Sequence, residues 1–317
     1  MKKIALIGCG DTGSRHLQAL SKSKFPLDVY VIEPNQKSVE IAKKRLLEVG
    51  SNYRNFKWFT DLSMIEEDFD LTIVATTANN RSDIIINLIE KKHKNFLIEK
   101  IVCQSSKEYE SIMQKINDYN CNAWVNLGRR YFPAYQEIQS VFKNSSKLSM
   151  SVTGGDFGLA TNALHYIDLF SWLSGSYEVS LDGELLSDSI LPNKRGDEFV
   201  EFTGIIGGKT QNCVFTLNDC HMIGMPQIIT ISDGIKKIII DETNEKTLFI
   251  NVQKQISFKL DIASNLNTRI IDDILDDNDC ILPTLNDSKS AHLELFRIFN
   301  QHLNNIKNEK FSLCPIT

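Results

Sequence analysis

The 317-residue chain is predicted to be an α/β protein in two parts: a doubly wound parallel sheet, then an α/β domain with an open, mainly antiparallel sheet. Three observations predict it. From Lys3 to about Val125 short apolar runs alternate with helical patterns, as βα units require. The first of those runs turns at once into a helix through Gly8-Cys9-Gly10-Asp11-Thr12-Gly13. Beyond Asn122 the pattern changes to successive β runs separated by short turns. The length exceeds one typical core, so we expect two domains, residues 1–122 and 123–317.

In the first part the runs Ile4–Ile7, Val29–Glu33, Phe56–Phe59, Leu71–Ala75, Phe96–Ile98 and Ala123–Val125 read as strands. Between them, Thr12–Ser21, Gln36–Val49, Arg81–Lys92 and Lys107–Tyr119 read as helices. The third helix places Ile84, Ile85, Leu88 and Ile89 at helical spacing, which marks a buried face. Strands covered on both sides form a parallel sheet, and ligands collect at its carboxyl ends.

The glycine stretch explains what would bind there. Gly8 permits a tight turn, Gly10 lets the backbone approach a pyrophosphate, and Gly13 lets the helix pack closely on the strand. Asp11 and Thr12 lie at the opening of that helix, whose free N–H groups and dipole favour phosphate. Glu33 closes the second strand at the distance where a carboxylate accepts hydrogen bonds from ribose hydroxyls and repels a 2′-phosphate. Pro34 and Asn35 follow rather than an arginine, so NAD is expected over NADP. Thr76, Thr77 and Asn80, in the loop after the fourth strand, suit the nicotinamide side of such a cofactor. Glu99 and Lys100 end the fifth strand. A lysine there either lowers the pKa of a substrate hydroxyl or forms a strand-end salt bridge.

The second part opens with a helix over Tyr131–Phe142. The expected strands are Leu148–Val152, Phe199–Ile206, Cys213–Leu217, Ile228–Ile231, Lys236–Ile240, Thr247–Val252 and Ile256–Leu260. Ahead of most of them stand Gly154-Gly155-Asp156-Phe157-Gly158 and a helical segment from Thr161 to Leu173. In that segment His165 and Asp168 are three apart and share a face. A histidine there exchanges a proton near neutral pH or serves as a hydrogen-bonded packing residue. Ser290–Leu303 reads as a closing helix that packs back on the first domain, and Asp272–Asp279 as an exposed loop or helix end rather than a metal site.

Composition narrows the function classes. A net charge of −5, without a basic arm, argues against nucleic acid as the main partner. The start lacks the apolar region of a signal peptide, and no stretch approaches a membrane span, so a cytoplasmic protein is expected. The seven cysteines are scattered without CxxC spacing, so neither a disulfide framework nor a bound metal is indicated, and Cys9 reads as space-filling. An open sheet with one uncovered face invites pairing, which predicts a homodimer or homotetramer.

The glycine motif, Glu99-Lys100 and the helix bearing His165-Tyr166-Ile167-Asp168 together resemble the Gfo/Idh/MocA oxidoreductase family. The resemblance runs through nearly the whole chain in order. It implies a Rossmann domain, a second domain with an open sheet, and nicotinamide-dependent chemistry on sugars or cyclitols. It assigns catalysis to Lys100 and His165 and places Arg130 near the active cleft; substrate contacts are expected from Arg130, Thr161, Asn162 and Asp168, with Asn162 or Asp156 supplying the polar contact that an aspartate at 161 would make. Two positions depart from the family pattern. Ile101 stands where a proline usually follows the lysine, and Thr161 where an aspartate often precedes the histidine by four residues. Arg130, at the domain junction, recognises an anionic sugar or bridges structure. The expected function is an NAD-dependent sugar dehydrogenase; the alternatives are a non-catalytic NAD-binding sensor and a redox-assisted glycosidase.

Overall fold

The computed structural model describes residues 1–50, 55–65, 67–253, 255–276 and 280–317. They form two units. The first comprises Met1–Cys103, Lys107–Tyr131 and Asp261–Asn286; the second comprises Gln104–Ser106, Phe132–Leu260 and Asp287–Thr317.

The N-terminal elements alternate: β1 (Lys2–Ile7), α1 (Asp11–Lys22), β2 (Leu27–Ile32), α2 (Gln36–Glu48), β3 (Asn55–Phe59), β4 (Leu71–Val74), α3 (Arg81–Glu90), β5 (Asn95–Ile98), α4 (Ser106–Asp118) and β6 (Asn122–Val125). The six strands pair in parallel in the order β3-β2-β1-β4-β5-β6. Sequence order reverses between β1 and β4, the point where a doubly wound sheet opens a crevice at its carboxyl edge. Every residue of β1 from Ile4 to Ile7 and all of β2 is buried, as expected of strands with helices on both faces.

The middle of the chain contributes α5 (Pro133–Phe142), β7 (Ser149–Gly154), α6 (Leu159–Ser174), β8 (Ser180–Leu186), β9 (Leu191–Pro192), β10 (Val200–Glu201), β11 (Gly204–Thr210), β12 (Cys213–Asp219), β13 (Ile228–Ser232), β14 (Lys237–Asp241) and β15 (Lys246–Ile250). Seven of these strands form an open sheet, β15-β14-β13-β7-β12-β11-β8, antiparallel except where β7 lies parallel to β12. Its inner face carries Met150, Val152, Phe215, Leu217, Ile229, Ile231, Ile238 and Ile240, and α6 packs there, with Phe170 against Phe215 at 4.7 Å. The opposite face leaves Val214, Leu248 and Ile250 exposed.

Several expectations for this half need correction. β8 was not anticipated, because Asp182-Gly183-Glu184 interrupts any apolar alternation. The expected single strand Phe199–Ile206 is two strands, β10 and β11, divided before Gly204, whose φ of +97° bends the chain. Ile256–Leu260 is not a strand; Ile256 and Phe258 are buried as irregular chain, with Phe258 edge-on to Tyr135 at 5.5 Å.

Two helices follow, α7 (Ala263–Leu275) and α8 (Leu285–Lys307). α7 was missed, since polar residues at Asn265, Asn267, Thr268 and Arg269 break up the apolar face of Leu266, Ile270, Ile271 and Ile274. It lies against α1: Thr268 Oγ1 donates to the Ala19 carbonyl at 3.2 Å, and Ser23 Oγ to Asp272 Oδ1 at 2.5 Å. Of the acidic stretch 272–279, residues 277–279 lie outside the described residues. Ahead of α8, Trp124 and Thr284 form an antiparallel bridge, and Val125 N–H donates to the Pro283 carbonyl at 3.0 Å, so β6 is covered at its outer edge. Among the described residues no helix is long and apolar enough to cross a membrane.

Candidate functional site

At the end of β1 the chain needs glycine for steric reasons that can be read off individually. Gly8 has φ +86°, and a Cβ there would lie 2.9 Å from Thr76 N, across the β1–β4 switch point. A Cβ at Gly13 would meet the Gly8 carbonyl oxygen at 2.1 Å. At Gly10, the residue before α1, nothing lies within 4 Å, so the space in front of the helix is open. The Asp11, Thr12 and Gly13 N–H groups at this helix start are the ones an intrahelical ladder leaves unpaired. Together these features fit a dinucleotide pyrophosphate.

Glu33, buried just past β2, braces the loop. Its Oε2 accepts from Cys9 N–H at 2.7 Å and its Oε1 from Asn35 N–H at 2.9 Å. Each oxygen retains a lone pair for a ribose hydroxyl. Arg45 from α2 binds Ser14 Oγ at 2.6 Å and Asp11 Oδ1 at 3.0 Å, a tether the sequence reading missed. Burial, aided by the Glu33 charge, pushes the Cys9 thiol up to about 12, which makes it a packing residue and not a nucleophile.

The loops after β4 and β5 are tied together by Arg81. This side chain, 1% exposed, donates to the carbonyls of Thr76, Glu99 (2.6 Å) and Ile101. Its signal was in the sequence: a cation in the first turn of a helix opposes the helix dipole, so it needs another role. Thr76 Oγ1 is buried without a partner among the described residues, an orphan beside Gly8 that a bound cofactor would satisfy. Thr77 and Asn80 are exposed, with Thr77 Oγ1 donating to Asn79 Oδ1 at 2.7 Å.

Glu99 is turned inward. Its Oε1 accepts from His16 Nε2 at 2.7 Å and Asn126 Nδ2 at 2.6 Å. Burial works against the charged form, yet the His16 and Asn126 hydrogen bonds and the Arg81 charge outweigh it and hold the carboxyl at about 2. Oε2 makes no hydrogen bond among the described residues, so its acceptor capacity could serve a bound group. Lys100 follows directly and is 5% exposed, and its bond to Ile101 is cis. Arg130 is buried, donating to the Ile281 carbonyl at 3.3 Å.

In the second unit α6 begins at Gly158, with φ +74°, and ends at Gly175, with φ +69°. The lead-in loop hangs on buried Asp219, which accepts from Gly158 N–H at 2.6 Å, His221 N–H at 2.9 Å and Asp156 N–H at 3.1 Å. Thr161 and His165 stand one turn apart on α6, both half-buried, and Asp168 is buried beyond them. The helix start is capped from outside by Glu201 of β10, another residue the sequence reading missed, since it lies forty positions from Thr161. Burial raises the Glu201 carboxyl above the ordinary carboxylate range, against the pull of its hydrogen bonds from Thr161, Phe202 and Ala160. Among the described residues no group of three or more His, Cys, Asp or Glu side chains is arranged to hold a metal.

Residues 2–127 match the GFO_IDH_MocA oxidoreductase family, NAD-binding Rossmann fold. No curated protein matches the chain in sequence. Among solved structures it is similar to the WlbA dehydrogenase from Bordetella pertussis in complex with NADH and UDP-GlcNAcA, at TM-score 0.72 and 13% identity over 96% of each chain. It is also similar to a Gfo/Idh/MocA family oxidoreductase from Vibrio cholerae, at TM-score 0.69 and 14% identity over 98% of this chain and 100% of that one. A third is the UDP-N-acetylglucosamine 3-dehydrogenase GnnA from Acidithiobacillus ferrooxidans, at TM-score 0.69 and 13% identity over 94% and 96%. At these identities the likeness is one of fold.

Proposed function

We propose, for a chain that belongs through residues 2–127 to the Gfo/Idh/MocA family of NAD-binding oxidoreductases, that it moves a hydride between a sugar or sugar-derivative carbon and the nicotinamide. The observation that carries the reading is the burial of Lys100 at the end of β5, next to a carboxylate locked in its ionised form. An ammonium held at the carboxyl end of a strand is suited to stabilise the negative charge that develops on an oxygen becoming an alkoxide. Bound NAD supplies the hydride acceptor.

In the oxidative direction Lys100 orients the substrate oxygen and stabilises its developing charge, while His165 receives the hydroxyl proton. Thr161, Asn162, Asp168 and Arg130 contact the rest of the substrate. Gly8, Gly10, Asp11, Thr12, Gly13 and Glu33 hold the adenosine diphosphate, with Thr76, Thr77, Asn80 and Glu99 toward the nicotinamide. Residues 1–122 serve the coenzyme, and residues 123–317 serve the substrate and assembly. We assign the protein to the cytoplasm and to a homodimer or homotetramer formed through the exposed face of the second sheet. The sugar class is supported by the printed ligand and names of similar structures, two of which concern UDP-linked sugars.

The test is NADH absorbance with the purified enzyme, NAD or NADH, and a panel of sugars, cyclitols, sugar phosphates and sugar nucleotides. Turnover of one class is expected. Silence across the panel, with coenzyme demonstrably bound, would sink the proposal.

A further inference from the structure

The pocket at the start of α6 has a hydrogen-bonding sense that its residues lack by themselves. It encloses about 440 Å³, and its lining includes Thr161, Asn162, Lys194, Arg195 and Glu201. A threonine hydroxyl both donates and accepts, so Thr161 alone would suit either kind of ligand group. Here Thr161 Oγ1 lies 2.5 Å from Glu201 Oε2. A carboxylate only accepts, so the hydroxyl proton is committed to Glu201 and the pocket meets an acceptor.

Glu201 itself has nothing left to offer a ligand. Its Oε2 also accepts from Thr161 N–H at 3.2 Å, and its Oε1 from Ala160 N–H at 2.5 Å and Phe202 N–H at 3.0 Å. Those donors fill the carboxylate's four lone-pair sites. The lead-in leaves room for it: a Cβ at Gly158 would lie 2.5 Å from Glu201 Oε2. Asn162 reaches the same sense by another route. Its Nδ2 donates to the Phe157 carbonyl, which fixes Oδ1 as the remaining acceptor. Two successive side chains of α6 therefore each present an acceptor to one pocket, with the Thr161 proton and one of the two Asn162 N–H groups already committed.

We infer that this pocket takes adjacent hydroxyl groups of a neutral sugar or polyol as donors, and that Glu201 is the positioning residue that imposes this sense through Thr161. The inference rests on the oxidoreductase reading in taking the pocket for part of the substrate site. Lys194 and Arg195 frame the competing occupant, an anion held by two cations with Thr161 as a bystander.

Crystals soaked with myo-inositol, with glycerol and with inorganic phosphate decide between them, with the polyol affinities measured in solution by ligand-observed NMR. Expected is a vicinal pair of hydroxyls on Thr161 Oγ1 and Asn162 Oδ1. Glu201→Gln keeps an oxygen toward Ala160 and Phe202 but turns an amide donor on Thr161, so the threonine proton rotates into the pocket. Polyol affinity should then fall roughly tenfold to a hundredfold, the effect of leaving a polar group mispaired. Thr161→Val should do the same without disturbing the cap charge. NADH affinity should stay at the wild-type value in both variants; Glu201→Gln also loses the acceptor for Thr161 N–H and should melt lower, whereas Thr161→Val keeps the capping carboxylate and isolates the effect on polyol. Neither polyol seated in the pocket, phosphate seated on Lys194 and Arg195 instead, or polyol affinity indifferent to both variants would overturn the inference. Polyol seated as described in an enzyme that never turns over NADH would sink the oxidoreductase reading alone. Sugar turnover indifferent to both variants would sink this inference alone.

Discussion

Replacing Glu99 by Gln removes one buried charge while keeping an oxygen for His16 and Asn126. Holding this carboxyl at about 2 rather than at its ordinary 4.5 corresponds, at ~1.36 kcal/mol per pH unit, to roughly 3 kcal/mol of stability. A folded-state pKa below the unfolded one means that the contribution is complete above the unfolded value and fades as pH falls toward the folded one. Wild type should therefore exceed Glu99→Gln by roughly 3 kcal/mol at neutral pH, with the gap closing between about pH 4.5 and pH 2. Urea melts followed by circular dichroism at stepped pH measure it. Parallel pH profiles for the two proteins would refute the reasoning, because the variant has no carboxyl at this position to titrate.

At the glycine loop two substitutions separate packing from coenzyme contact. Gly13→Ala drives a Cβ into the Gly8 carbonyl, so it should destabilise by about 1–3 kcal/mol as well as weaken NADH binding in calorimetry. Gly10→Ala meets nothing within 4 Å and should fold normally yet bind NADH at least tenfold more weakly; unchanged binding would contradict a pyrophosphate at α1. Lys100→Ala should lower turnover by far more than NADH affinity, and the reverse result would assign the lysine to coenzyme binding. Leu248→Asp, on the face of the second sheet that is exposed, should shift light scattering toward monomer; an unchanged mass would move the assembly surface elsewhere.

What was legible in the sequence follows from how local each cause is. β1, β2, β4 and β5 are largely buried on both faces, so each appears as a mostly apolar run, and Gly8 and Gly13 of the β1–α1 turn each answer a neighbour within a few residues or across one strand. β8 was illegible because it lies at an edge and needs few buried side chains; Leu181 and Leu186 are the buried ones, separated by polar residues and a glycine. α7 was hidden by its own polar face, half of which binds α1. The departure at Thr161 was visible, but the carboxylate that pairs with it arrives from β10, and no pattern within a helix turn could announce it. Arg81 was readable in principle, as a misplaced cation at a helix start.

The brace that α7 gives α1 has a consequence for how the protein comes into being. The segment that steadies the phosphate-facing helix and caps the rim of β6 is made only after the ribosome has spun out some 130 residues belonging to the other unit. A nascent chain halted at Tyr131 would own all six parallel strands and the glycine turn, yet its first helix would face water along the flank meant for α7. Grip on the coenzyme should thus mature late, when the returning polypeptide closes the fold it began with.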